Sequence, residues 1–187
     1  NALEEHVRHR TAQLEEALAE AETLKARFEQ LSTIDDLTGL HNRRFFFPEA
    51  TAQLARSLRQ GQPLALMVLD LDHFKQVNDH HGHAAGDEVL GDIARYFQSQ
   101  VREGDILARM GGEEFVMLLP DTQAEGASAL AERIRAAVQA LAWTDADGDR
   151  FGVSVSIGIT DFQAEPAANA AVDTHRTLDP MLAEADK

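Results

Sequence analysis

The sequence contains no cysteine, one tryptophan and one tyrosine. Without cysteine there is no disulfide framework and no thiolate metal site. That fits a reducing compartment, so a cytoplasmic location is the expectation. No run reaches the roughly 18 apolar residues of a membrane span, and no leader pattern is visible. Basic residues are scarce too: 17 Lys and Arg face 32 Asp and Glu, a net charge of −15. This balance argues against a nucleic-acid partner held by a broad basic surface. A polyphosphate ligand would need local cations, either a metal ion or individual Lys and Arg. Residues 1–32 lack both glycine and proline, so nothing in them interrupts a helix. They begin without methionine, inside a helical pattern, as expected of a piece of a longer protein.

What is present is ordinary for a globular chain: 44% hydrophobic and 26% charged residues over 187 positions. That length suits one domain with a sizeable core plus an appendage. The appendage is residues 1–32. Leu3, Val7, Leu14, Ala17, Ala21, Leu24, Phe28 and Leu31 recur at alternating steps of four and three, with Arg10 in the one charged slot. This is a heptad seam, narrow and flanked by charge, and it predicts a coiled coil that makes a homodimer. A helix folded on its own domain is the other reading. Small and charged seam positions make the coil weak, which suits a switch in register. At the junction Asp36 is placed to cap a turn, and Gly39 and Asn42 are turn residues. Arg43 and Arg44 read either as anion contacts or as structural ion pairs.

The domain is expected over residues 33–187. Pro48–Gln60 reads as a helix with Pro in its first turn. A strand (64–70), a loop, a helix (84–100), strands at 105–110 and 114–119, a helix (122–141) and a strand (151–160) follow. The order βαββαβ is the ferredoxin-like α+β plan, also used, elaborated, by palm-type nucleotide cyclase domains. Counted from Asp145, a calcium loop would need Gly at its sixth position and Glu at its twelfth; these are Arg150 and Ser156, so DADGD (145–149) reads as an acidic turn. Residues 163–177 read as a loop, and a helix begins at Leu178.

The chemistry centres on Arg109–Phe115, RMGGEEF. Two glycines between apolar runs predict a hairpin with a Gly-Gly turn, bare enough for a bulky ligand. Glu113 and Glu114 then leave on opposite faces of the second strand. The apolar run Leu64–Leu69 ends in Asp70. A carboxylate at a buried strand's end, facing an acid on a neighbouring hairpin, makes a hard-cation site of the kind magnesium takes; an N-cap role for Asp70 is the plainer alternative. His73, His80, His81 and His83 crowd one loop without the spacing of a zinc site.

These motifs resemble the GGDEF family of diguanylate cyclases in its GGEEF form. DDLTGLHNRRFF (35–46), DLDHFKQVNDHHGHAAGDEVL (70–90), RMGGEEF and SVSIGIT (154–160) occur in the family's order. The resemblance covers residues 33–187. It implies condensation of two GTP into cyclic di-GMP by two domains facing each other, with two magnesium (or manganese) ions per site. It implies Asp70, the Leu71 carbonyl and Glu113 as metal ligands. Glu113 would also accept the 3′-hydroxyl proton, and Glu114 would be either a helper at the metal or a structural partner. Lys75 would lie on the phosphates, Gly111 and Gly112 along the nucleotide, and Asn78 and Asp87 on guanine. Arg102 and Asp105 match the RxxD pattern of the product-inhibition site, with Arg133 as a further contact. An upstream sensor would act through the coil. The family's C-terminal helix carries a Lys and an Arg for the phosphates that this sequence does not match at Lys187. A non-catalytic module binding cyclic di-GMP or GTP is the rival reading. A cyclase making a 3′,5′-cyclic mononucleotide is a third, opposed by Asp87 and the GGEEF hairpin.

Overall fold

Leu64–Leu71, apolar but for Asp70, forms strand β2, and six of its eight residues are buried. Such a run has no solvent face and belongs in the middle of a sheet. The computed structural model, which describes residues 2–162, places it there. Two units divide between Ser32 and Thr33.

The first unit is helix α1 (Ala2–Leu31), 30 residues without a glycine or proline. Val7, Leu14 and Leu18 are exposed on it, at 55%, 69% and 61%.

The second unit holds β1 (His41–Asn42), α2 (Arg43–Gln60), β2, α3 (Phe74–His81), α4 (His83–Gln100), β3 (Ile106–Gly111), β4 (Glu114–Pro120), α5 (Ala124–Ala140), β5 (Trp143–Thr144), β6 (Arg150–Phe151) and β7 (Val155–Phe162). The main sheet runs β1-β3-β4-β2-β7. All neighbours pair antiparallel except β1 with β3. Without β1 this is the ferredoxin-like order. Period-two alternation gives each strand two buried faces. Ala65, Met67, Leu69 and Leu71 join residues of α4 and α5, while Leu64 and Leu66 join Phe46, Ala50 and Leu54 of α2. Phe115 is fully buried and meets Phe97 edge to face, with centroids 5.3 Å apart. Phe115→Ala is expected to cost about 3–5 kcal/mol, read as a lower denaturant midpoint at unchanged slope.

The structure corrects several boundaries. Helix α2 starts five residues before Pro48, because Asn42 caps it: its side chain accepts from the Arg44 and Phe45 amides at 3.0 and 3.3 Å. Asp35, rather than Asp36, closes the preceding turn, accepting from the Thr38 amide at 2.9 Å and its hydroxyl at 2.6 Å. Residues 74–81 are helical, not a loop; Gly82, at φ 84°, separates α3 from α4. The last strand starts at Val155, since Phe151 belongs to the small β5–β6 hairpin. Its DADGD turn is wound on Asp145, which accepts from the amides of Asp147 and Asp149 and is 2.6 Å from His81 Nδ1. These bonds, the one with His81 foremost, hold the Asp145 carboxyl below the usual range. The loop and helix expected at 163–187 lie outside the described residues. No helix of the described residues is long and apolar enough to cross a membrane.

Candidate active site

The end of β2 is flanked on both sides. Asp70 pairs in register with Glu114 on β4 and Ser156 on β7. Directly paired antiparallel residues share a face, with Cβ atoms about 4.5–5.5 Å apart. Two acids opposed in this way favour a cation between them. Next along, the Leu71 amide donates to the Glu113 carbonyl at 3.4 Å.

The signature turn departs from expectation. Gly111 pairs with Glu114 across an irregularity that follows Arg109. The two tip residues are therefore Gly112 and Glu113, not the two glycines. Gly111 and Gly112 have φ of 138° and 52°, values that disfavour a side chain. Glu113 thus belongs to the loop and Glu114 to the strand, which sends the two acids to different places. Glu113 is half-buried and lines an open cavity of about 420 Å³ together with Lys75, Asn78, Asp87 and Gly112. Phe74 and Leu90 supply its apolar wall, and His83 and Arg109 border it. Five of the expected site residues therefore meet in one place. Asp70, Leu71, Gly111 and Glu114 do not line this cavity. Asp70 borders a separate opening of about 540 Å³ beside α5 and β7. Asp87 is the fifth residue of α4, past its first turn, which weakens a purely helix-dipole role.

Among the described residues no three His, Asp or Glu side chains converge as a ready-made metal cluster. The donor set still suits a hard cation. Asp70, Glu113, Glu114 and the Leu71 carbonyl offer only oxygens, and magnesium commonly takes one or two carboxylates with the remainder from water and substrate phosphate. Asp72 is spoken for. It accepts from the hydroxyls of Ser154 at 2.5 Å and Ser156 at 2.6 Å, stapling the end of β2 to β7. Burial pushes its carboxyl up, but the two hydroxyls and the adjacent His73 outweigh that and hold it below the usual range.

Arg109 is the residue that sequence reasoning passed over. Its Nε and Nη2 donate to the Gly112 carbonyl at 3.0 and 2.7 Å, and its Nη1 to Asp35 Oδ1 at 2.9 Å. Its side chain is only 10% exposed. One guanidinium therefore ties the turn bearing Glu113 to the segment that opens the domain. The available signal was an arginine two residues before the glycine pair and an unassigned acid in DDLTGL.

The RxxD residues are closed on themselves. The Arg102 amide and Nε donate to Asp105 at 2.9 and 3.2 Å, and Nη2 donates to the Pro120 carbonyl and the Thr122 hydroxyl. Arg133 donates to Gln100 at 3.0 Å. Of the four histidines, His81 pairs with Asp145 and His80 Nδ1 lies 2.8 Å from the Gln76 carbonyl.

Known proteins resemble this chain in sequence and fold. Residues 32–186 match the family model described as "Diguanylate cyclase, GGDEF domain". Diguanylate cyclase DgcP of Pseudomonas aeruginosa is 43% identical over 144 residues, 77% of this chain and 21% of DgcP. The response regulator PleD of Caulobacter vibrioides is 42% identical over 132 residues, 70% of this chain and 29% of PleD. The chain thus spans about a fifth to a third of the curated relatives it matches. Among solved structures, diguanylate cyclase SiaD of Pseudomonas aeruginosa, in complex with its activator SiaC, superposes with a TM-score of 0.70 at 34% identity, over 98% of this chain and 71% of that one. The active GGEEF domain of a Vibrio cholerae diguanylate cyclase gives 0.63 at 33%, over 78% and 90%.

Proposed function

The chain belongs to the GGDEF diguanylate cyclase domain family, and on that footing we propose that it condenses two GTP molecules into cyclic di-GMP and two pyrophosphates. The observation that carries the reading is the single cavity that gathers Lys75, Asn78, Asp87 and Glu113 at the signature turn. A carboxylate can accept from both N1–H and N2–H₂ of guanine, a donor pair adenine lacks, so Asp87 selects GTP over ATP. Asn78 adds a second contact to the base. Lys75 lies with the phosphates, and Gly112 lets the nucleotide approach the turn. In each of two equivalent steps, a 3′-oxygen attacks the α-phosphorus of the other GTP. The bond to the bridging oxygen breaks, pyrophosphate leaves, and Glu113 takes the hydroxyl proton. Such transfers depend on positioning and charge neutralisation more than on covalent help.

Asp70, the Leu71 carbonyl and Glu113 would hold magnesium or manganese, two ions per site, with Glu114 alongside. When bound, these ions neutralise phosphate charge and make the hydroxyl a better nucleophile.

Each cavity has one turn and one base-reading pair, so the reaction needs two domains. We assign their pairing to α1, whose exposed Val7, Leu14 and Leu18 form an apolar stripe suited to a second copy. Such a coil is also the route by which an upstream sensor would act. Arg102, Asp105 and Arg133 form the proposed product-inhibition site, which opens when cyclic di-GMP replaces their internal bonds. Arg102→Ala is expected to let product accumulate several-fold further before turnover stalls, and to lower the unfolding midpoint, since Asp105, whose side chain is only 5% exposed, loses the guanidinium and keeps only the backbone amide of residue 102. An unchanged stalling point would remove the inhibitory role.

The deciding experiment is product identification, with the chain, GTP and magnesium incubated and the nucleotides separated. Cyclic di-GMP establishes the activity. Retained GTP together with binding of added cyclic di-GMP would favour a non-catalytic module.

A further inference from the structure

Helix α4 carries a buried glycine, Gly86, four residues into the helix. Its φ lies outside the positive range, so no backbone requirement explains it. Glycine inside a helix costs roughly 0.5–1 kcal/mol relative to alanine. The surroundings explain what that cost permits. A Cβ placed at Gly86 would lie 2.0 Å from Asn78 Oδ1, 3.1 Å from Asn78 Cγ and 3.3 Å from Phe74 Cζ. The space a methyl group would take is therefore filled by the amide oxygen of Asn78, reaching across from α3. The two helices are joined tightly enough to allow this: Gly82 alone separates them, its amide donates to the Asn78 carbonyl at 3.0 Å, and the Gly86 amide donates to the Gly82 carbonyl at 3.2 Å.

We propose that Gly86 is a positioning residue for base selection: its missing side chain leaves the niche that seats the Asn78 amide oxygen and so leaves the amide N–H group for the guanine. The inference rests on the reading that Asn78 and Asp87 hold the base. The niche then complements the adjacent Asp87, one group accepting from the base and the other donating to an acceptor on it. The obstacle at Gly86 is chiefly the end of a side chain rather than backbone. An added methyl group is therefore accommodated by turning Asn78 out of its seat, and the helix pair survives.

The test uses the full chain with magnesium and 3′-deoxy-GTP, which lacks the attacking hydroxyl and so reports binding without turnover. Four proteins are compared: the parent, Asn78→Ala, Gly86→Ala and the double variant. Each single change is expected to weaken binding about tenfold, the effect of one hydrogen bond to a polar ligand. The double variant should bind no more weakly than Asn78→Ala, because there is no longer an amide to displace. In the Asn78→Ala background, Gly86→Ala should also raise the thermal midpoint, since the methyl fills vacated space and improves helix propensity. Parent affinity in Gly86→Ala would overturn the proposal. So would losses that simply add in the double variant, or a fall in midpoint in that background. Parent affinity in Asn78→Ala would instead remove the base-reading role on which the proposal stands.

Discussion

Glu113→Gln is expected to keep the fold and to lower cyclic di-GMP formation by about 10³-fold, within the range for removing a general base. The side chains are nearly the same size. The backbone bond from the Leu71 amide to the Glu113 carbonyl does not depend on the carboxylate. On the proposed reading, what disappears is the acceptor for the 3′-hydroxyl proton and one oxygen ligand for the metal. Glu114→Gln makes the contrast. Glu114 lies on the strand, opposite Asp70, and outside the cavity that Glu113 lines. Its removal is expected to cost turnover far less, and to raise the unfolding midpoint slightly without metal, because like charges directly opposed on a sheet destabilise it. Turnover by product analysis and midpoint by thermal unfolding check both. Full activity in Glu113→Gln would sink the assigned role.

Arg109→Ala is expected to lower kcat by about 10²-fold, the scale on which a displacement near 1 Å acts, with a smaller change in KM. Three hydrogen bonds converge on this side chain, two of them on the Gly112 carbonyl that immediately precedes Glu113. Without them the turn loses this side-chain anchor to the start of the domain. Arg109→Lys should recover little, since a single ammonium cannot match the planar fork that spans Asp35 and the turn. The partner carries a pH signature. Burial pushes the Asp35 carboxyl up, but hydrogen bonds from Thr38 and Arg109 and the arginine's charge outweigh that and lower it. A carboxyl depressed in the folded state contributes stability above its unfolded value, about 3.9, and loses it as pH falls through the folded value. The stability gap between the parent and Asp35→Asn should therefore be full at neutral pH and close in acid. A gap that does not narrow on acidification would show that the carboxylate is not held in this way, and an Arg109→Ala protein with parental kcat would show that the clamp does not set the turn.

Much of this was legible in the chain. The apolar run of β2, the Ala127, Ala131, Ile134 and Val138 spacing of α5 and the glycine pair before two acids are local patterns, set by side-chain period and backbone freedom over a few residues. The sequence alone therefore determined the order of the main elements, βαββαβ, and the residue types available at the site. Local pattern also had limits. It took α3 for a loop, because a helix of eight residues closed by Gly82 has too few turns to show its period. It started α2 at the proline, because Asn42 reads equally as a turn residue and as a cap.

Only the tertiary structure decided which acid goes where. Pairing Gly111 with Glu114 moves Glu113 from the strand into the loop, a one-residue difference of register that depends on the partner strand rather than on the turn sequence. Arg109 and Asp35 lie 74 positions apart. Arg102 finds Thr122, and Gly86 makes room for Asn78, across segments that periodicity treats as independent. Composition and spacing thus supplied the chemical groups. Their mutual distances arose from long-range packing, where the free energy of a contact belongs to neither residue's local sequence.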